Sequence, residues 1–234
     1  MRILGLAAAA VAAHSVLPAQ ALAQESGFSG AYLGAEIGYS DSEMTTFERA
    51  VFPENDPLDF VDAGVEGEAF AFAGFAGWGG LATDHLYLGA EVAAHSERDS
   101  VTHAVQPGVA VTIEPHWGWS GAARIGAVFG ANLAYAKLGW ETREYELTLT
   151  PQEKRSRDVG GILYGLGFER MVGARFSVRG EVTQVRVDAE DSEIQFDWSG
   201  CGGGPGPNIC VLMPVDFALE PEERRLTLGA AFHF

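Results

Sequence analysis

The chain has 234 residues, 47% of them hydrophobic, with 30 glycines and a formal net charge of −17. That length suits one β domain of moderate size or two very small domains. The acidity argues against nucleic acid as a partner, because phosphate binding needs a basic surface.

Residues 1–23 read as an export signal. Arg2 is a minimal basic start, "ILGLAAAAVAA" an apolar stretch, and Ala21-Leu22-Ala23 a small-residue cleavage site. Cleavage after Ala23 is expected to leave a mature domain of residues 24–234. Beyond the signal no apolar run reaches the ~18 residues of a spanning helix, so secreted, periplasmic and outer-membrane destinations remain.

From Gly30 onward the pattern has period two, and no stretch shows convincing helical periodicity. Eight strands are expected, near 29–40, 67–79, 84–95, 117–129, 132–143, 158–170, 174–187 and 224–234. In the first, Leu33, Ala35, Ile37 and Tyr39 share one face while Tyr32, Gly34 and Glu36 share the other. The second, "EAFAFAGFAGW", is ambiguous; Phe70, Phe72 and Trp78 are assigned to the outer face. The third repeats the "YLGAE" of the first, opposing Leu88, Ala90 and Val92 to Gly89, Glu91 and His95. The fourth to sixth set Ile125, Leu138 and Leu166 against Arg124, Lys137 with Glu141, and Glu169. The seventh and eighth set Val178 and Val182 against Arg179 and Glu181, and Leu226, Leu228, Ala230, Phe232 and Phe234 against Arg225.

The connections alternate. Residues 80–83, 130–131 and 171–173 are short, whereas 41–66, 96–116, 144–157 and 188–223 are long, and the acidic residues concentrate in the first and last of these. Short turns at one end and long loops at the other, with an even strand number, are features of outer-membrane barrels. Glycines also indicate which face is inside. An eight-stranded barrel has an interior just wide enough for side chains, so inward glycine makes room for long charged neighbours. An Arg or Lys turned to lipid would cost about 2–4 kcal/mol near the midplane. The apolar faces therefore point outward, and Glu36, Glu91, Arg124, Lys137, Glu141, Glu169, Arg179, Glu181 and Arg225 form an interior charge network. Buried charges must be paired; Glu91–Arg124 and Glu36–Arg225 are the expected pairs. Tyr39, Trp119 and Trp140 at the upper strand ends, and Trp78, Phe129, Phe168, Phe176 and Phe234 at the lower, suit interfacial girdles.

Cys201 and Cys210 flank "GGGPGPNI" and are expected to form one disulfide in an oxidising compartment. That loop reads equally as a rigid binding tip or as protection of a Gly/Pro-rich segment. His95-Ser96-Glu97 lies at the rim, but successive strand residues face opposite ways and do not converge as a triad. His95, His103 and His116 are irregularly spaced around one connection, and "DAEDSE" at 188–193 lacks the order of a calcium loop. No catalytic residue, cofactor or metal site is expected.

The stretch "GILYGLGFERMVGARFSVRGEV" from Gly161 and the final strand "RLTLGAAFHF" ending on Phe234 resemble the OmpA-type superfamily of small Gram-negative outer-membrane barrels. The resemblance implies an all-β, eight-stranded antiparallel up-and-down transmembrane barrel without a peptidoglycan-binding domain. It further implies that Leu226, Leu228, Ala230, Phe232 and Phe234 are the face read by the outer-membrane assembly machinery. Fold and location transfer better than function. The leading expectation is a monomeric, non-enzymatic barrel in contact with outer-membrane lipid and lipopolysaccharide, with a structural or surface-interaction role and no named ligand or host partner. A narrow, low-conductance channel and a lipid A-modifying enzyme are the alternatives.

Overall fold

The computed structural model describes residues 27–50, 58–97, 101–106, 109–149, 153–187, 193–201 and 210–234. Side chains are described for 27–42, 67–96, 112–146, 148, 154–186 and 222–234. The signal segment and the 188–192 acidic run lie outside these residues.

The chain forms β1 (Gly30–Ala50), β2 (Leu58–Leu81), β3 (Leu86–Glu97), β4 (Val101–Gln106), β5 (Val109–Phe129), β6 (Asn132–Leu149), β7 (Glu153–Met171), β8 (Phe176–Val187), β9 (Glu193–Cys201) and β10 (Cys210–His233). Eight of them run around one closed antiparallel barrel in the order β1-β2-β3-β5-β6-β7-β8-β10, and β10 pairs back onto β1. β4 and β9 each add a hairpin partner, to β5 and β10.

At the lower end the strands stop close to where the alternation stops. The turns are tight there: Val172 N donates to Phe176 O at 2.8 Å, and Leu86 N donates to Thr83 Oγ1 at 3.1 Å. Between β5 and β6, Gly130 takes φ = 62°, the left-handed conformation that glycine adopts without a Cβ clash.

At the upper end the observed strands outrun the expected ones. β1 and β2 stay paired up to Ala50↔Leu58, and β10 continues back to Cys210. Most of what reads as long acidic loop is hairpin ladder. The reason is physical: once a hairpin rises above lipid, neither face needs to be apolar, so the period-two signal fades while the backbone hydrogen bonds persist.

The face assignments agree with the observed exposure. Leu33, Ile37, Phe70, Phe72, Trp78, Leu88, Val92, Ile125, Leu138, Trp140, Leu166 and Leu228 all lie on the outer surface. Glu91, Arg124, Lys137, Glu141, Glu169, Arg179, Glu181 and Arg225 are all buried. The barrel is therefore apolar outside and polar inside, the arrangement that lipid requires.

Candidate functional site

Among the described residues, side chains fill the lumen from its lower end upward. Its lower end is stopped by Phe28, just before β1, packed with Tyr87, Val128, Leu133 and Tyr135. A second apolar group, Tyr32, Phe75, Ala93 and Ala231, lies beside it. Arg124 rises from these rings: its guanidinium carbon lies 3.8 Å from the Tyr135 ring centroid and 5.4 Å from that of Tyr32. Such cation–π contacts strengthen when desolvated.

Above the rings lies the central network, with Glu91 as its hub. Its carboxylate accepts from Arg179 Nη1 at 2.6 Å, Lys137 Nζ at 2.7 Å, Tyr32 Oη at 3.0 Å and Arg124 Nη1 at 3.3 Å. Arg124 Nη2 reaches Glu169 at 2.7 Å, and Glu169 also accepts from Ser177 Oγ at 2.6 Å. Lys137 spans to Glu181 at 3.2 Å, and Tyr135 Oη donates to the same carboxylate. Arg179 lies over the Phe75 ring at 3.3 Å. Charges this deep are tolerated only when each finds several partners.

A second cluster sits higher in the lumen. Arg143 bridges Glu223 at 2.7 Å and Glu141 at 2.9 Å. Arg225 pairs with Glu141 and, at 2.6 Å, with Glu223. Ser40 Oγ donates to Glu223 at 3.1 Å, and His95 Nε2 lies 3.3 Å from Glu141.

All nine sequence-predicted charges thus take part, but not all with the expected partners. Glu91 meets Arg124. Glu36 does not meet Arg225; it pairs with Arg179 at 2.7 Å. The register explains the correction. Arg225 lies opposite Ser40, four residues up β1 from Glu36, roughly 13 Å along the strand. The residue opposite Glu36 is Gly229, and opposite Gly229 on β8 is Arg179. A Cβ on Gly229 would come within 2.9 Å of Glu36 Cβ and 3.4 Å of Arg179 Cγ, so the bare strand lets the two side chains meet across it.

Arg143, Glu223, Tyr32, Tyr135, Ser177 and His233 belong to the network without having been singled out. The signal for the first two was present. Arg143 has the parity of Lys137 and Glu141, and Glu223 that of Arg225, but each lies at or just past the point where the outer face stops being apolar.

Gly167 tests how tightly the rings are held. It lies opposite Tyr135, and a Cβ there would fall within the Tyr135 ring's contact envelope. Valine has the higher strand propensity, so propensity alone favours Gly167→Val. The expected result is nevertheless destabilisation of about 1–3 kcal/mol from overpacking, read by thermal unfolding of the folded band in detergent. A stabilised variant would show that the ring has room to move.

Other candidates are dispersed. His95 is buried in the lumen, whereas His116 is exposed on the outer face of β5; the side chains of Glu97 and His103 lie outside the described residues. Leu226, Leu228, Phe232 and Phe234 are exposed along one face of the terminal strand. Phe232 and Phe234 meet edge to face at 5.2 Å, and Phe176 packs on Phe232 at 6.4 Å. Cys210 lies opposite Cys201 in the β9–β10 ladder, with both side chains outside the described set.

Residues 8–200 match the family described as outer membrane protein beta-barrel domain. No curated protein matches the sequence. Among solved structures, the chain is similar to Ail of Yersinia pestis in complex with the heparin analogue sucrose octasulfate, at 14% identity and a TM-score of 0.41, covering 88% of this chain and 99% of Ail. It is also similar to OprG from Pseudomonas aeruginosa, at 12% identity and 0.47, covering 88% and 97%. The Neisserial surface protein NspA stands at 10% and 0.46, covering 88% and 98%. With the family match spanning most of its length, the chain belongs to the outer membrane protein beta-barrel domain family, and it resides in the outer membrane of a Gram-negative cell.

Proposed function

We propose that this chain is a non-enzymatic, structural or surface-interaction barrel whose lumen is closed. The observation that carries this reading is the filling of the lumen by the described side chains. Phe28 and Leu133, exposed by 1% and 0%, stop the lower end, and the ion-paired network occupies the space above. A conduit needs mobile water between its charges, whereas here Arg124, Arg179 and Glu91 each bond to two or more neighbouring side chains. Work at the cell surface then falls to the acidic hairpins, whose charge favours cationic or metal-bridged partners.

The mature domain is taken to begin after Ala23, with the C-terminal face from Leu226 to Phe234 read during assembly and the protein acting as a monomer. A Cys201–Cys210 disulfide is supported by the register. Directly opposed antiparallel residues have Cα atoms about 4.5–5.5 Å apart, within the span a disulfide bridges.

Planar-bilayer recording of the refolded protein tests the closed lumen. The expected result is a trace like that of a protein-free bilayer. Discrete, reproducible steps would replace this reading with that of a narrow channel. Lipid A mass spectrometry of a deletion strain is expected to give an unchanged profile; a changed one would point to an enzyme.

A further inference from the structure

The outer face of the β5–β6 hairpin, above the aromatic girdle, carries a different cluster. Glu114 lies directly opposite Glu146 in the β5–β6 ladder. Like charges in that position repel, so the pair calls for a cation. Just beyond it the register slips between Pro115 and Gly118, with one extra residue on β5. Proline has no N–H to give to the ladder and is at home in a bulge, and a bulge re-aims the side chains beside it. Ile113 above the slip and Gly118 below it both face inward and are buried, while His116 and Trp117 are exposed. The extra residue thus leaves His116 on the same side as the two glutamates. One ligand atom from each of Glu114, His116 and Glu146 falls within 4.8 Å of the others.

We propose that Glu114, His116 and Glu146 form a surface site for a borderline-soft divalent metal ion, with zinc as the reference ion. Ligands bonded at about 2.0–2.2 Å to one zinc ion stand roughly 3–4 Å apart, so small side-chain rotations close the set. Imidazole with two carboxylates suits zinc and its neighbours better than calcium or magnesium, which prefer all-oxygen shells. Three protein ligands leave a fourth position open to solvent and to groups at the membrane surface. The next strand, β7, supplies a built-in competitor. Lys154 Nζ lies 2.6 Å from Glu146, and this hydrogen bond holds the Glu146 carboxyl below the usual carboxylate range. A metal ion would take over the role of that ammonium.

Zinc titration of the mature full chain, refolded in detergent and carrying no polyhistidine tag, tests the site by calorimetry. Folding of each variant is verified by heat-modifiable gel migration. One zinc per chain is expected at this site. His116→Ala and Glu114→Gln should each weaken it at least tenfold, and Lys154→Ala should strengthen it about two- to fivefold, the range released by removing an exposed ion pair. Equimolar calcium should not displace the zinc. No uptake of zinc, uptake unaffected by His116→Ala, weakening by Lys154→Ala, or displacement by calcium would each overturn the proposal. The last two outcomes would mark a diffuse acidic surface.

Discussion

Replacing Arg124 with leucine is expected to lower stability by about 3–5 kcal/mol, the cost of removing one partner from a buried ionic cluster. The readout is the temperature at which the folded, fast-migrating form in detergent converts to the unfolded one. Arg124 binds Glu169 at 2.7 Å, Tyr32 at 2.8 Å and Glu91 at 3.3 Å, and lies against Tyr135. The loss falls unevenly on these partners. Glu91 keeps Lys137 and Arg179. Glu169 keeps the Ser177 hydroxyl and lies 3.2 Å from His233, but it loses its guanidinium. Adding Glu169→Gln to the Arg124→Leu background should therefore recover part of the stability, whereas adding Glu91→Gln should cost more, because Lys137 and Arg179 then lose the nearer of the two carboxylates they share, Glu91 and Glu181. Arg124→Lys should fall between wild type and leucine: a point charge cannot fork to Glu169 and Tyr32 in the way a planar guanidinium does. Unfolding that is the same for Arg124→Leu and wild type would sink the closed, paired lumen.

The complementary substitution places a charge outside. Leu166 is 70% exposed on the outer surface, between Ala136 on β6 and Val182 on β8. Along β7 it falls between Ile162, opposite the upper-girdle Trp140, and the lower-girdle Phe168. Leu166→Arg should cost about 2–4 kcal/mol, measured by reversible folding into bilayers, because the guanidinium then faces hydrocarbon near the midplane. Ser156→Arg, also outward-facing on β7 but above the girdle and opposite Glu146, should stay within about 1 kcal/mol, since the cost fades at the interface. Equal effects at the two positions would mean that the apolar band is not at the depth assigned. Leu166 is preferable to Leu228 for this purpose, because it lies outside the terminal strand proposed as the assembly signal.

These two substitutions mark how far the lumen was legible in the sequence. Arg124 and Leu166 could be sent to opposite faces by parity alone, because one slip of register would move every charge of a strand into lipid. Glu91–Arg124 was legible as a pair because β3 and β5 are consecutive strands of the barrel and the two residues lie one diagonal step apart. Glu36–Arg179 was not. It joins strands from opposite ends of the chain, over Gly229, and depends on how β10 closes onto β1. Arg143 and Glu223 escaped because the apolar alternation that flags a strand ends where lipid ends. The Glu114–His116–Glu146 cluster escaped because a bulge breaks the period that would otherwise place its members.

Sequence alone therefore determined the number of barrel strands, the trimmed and elaborate ends, and, where the alternation is unbroken, which side of the wall a residue faces. Those properties follow from period-two alternation and from the cost of charge in lipid, both of which are local. Only the tertiary structure decided which charge meets which, how far the hairpins rise, and that apolar rings stop the lower end of the lumen. Those depend on the stagger at which the sheet closes on itself, a relation between distant strands that no local pattern contains.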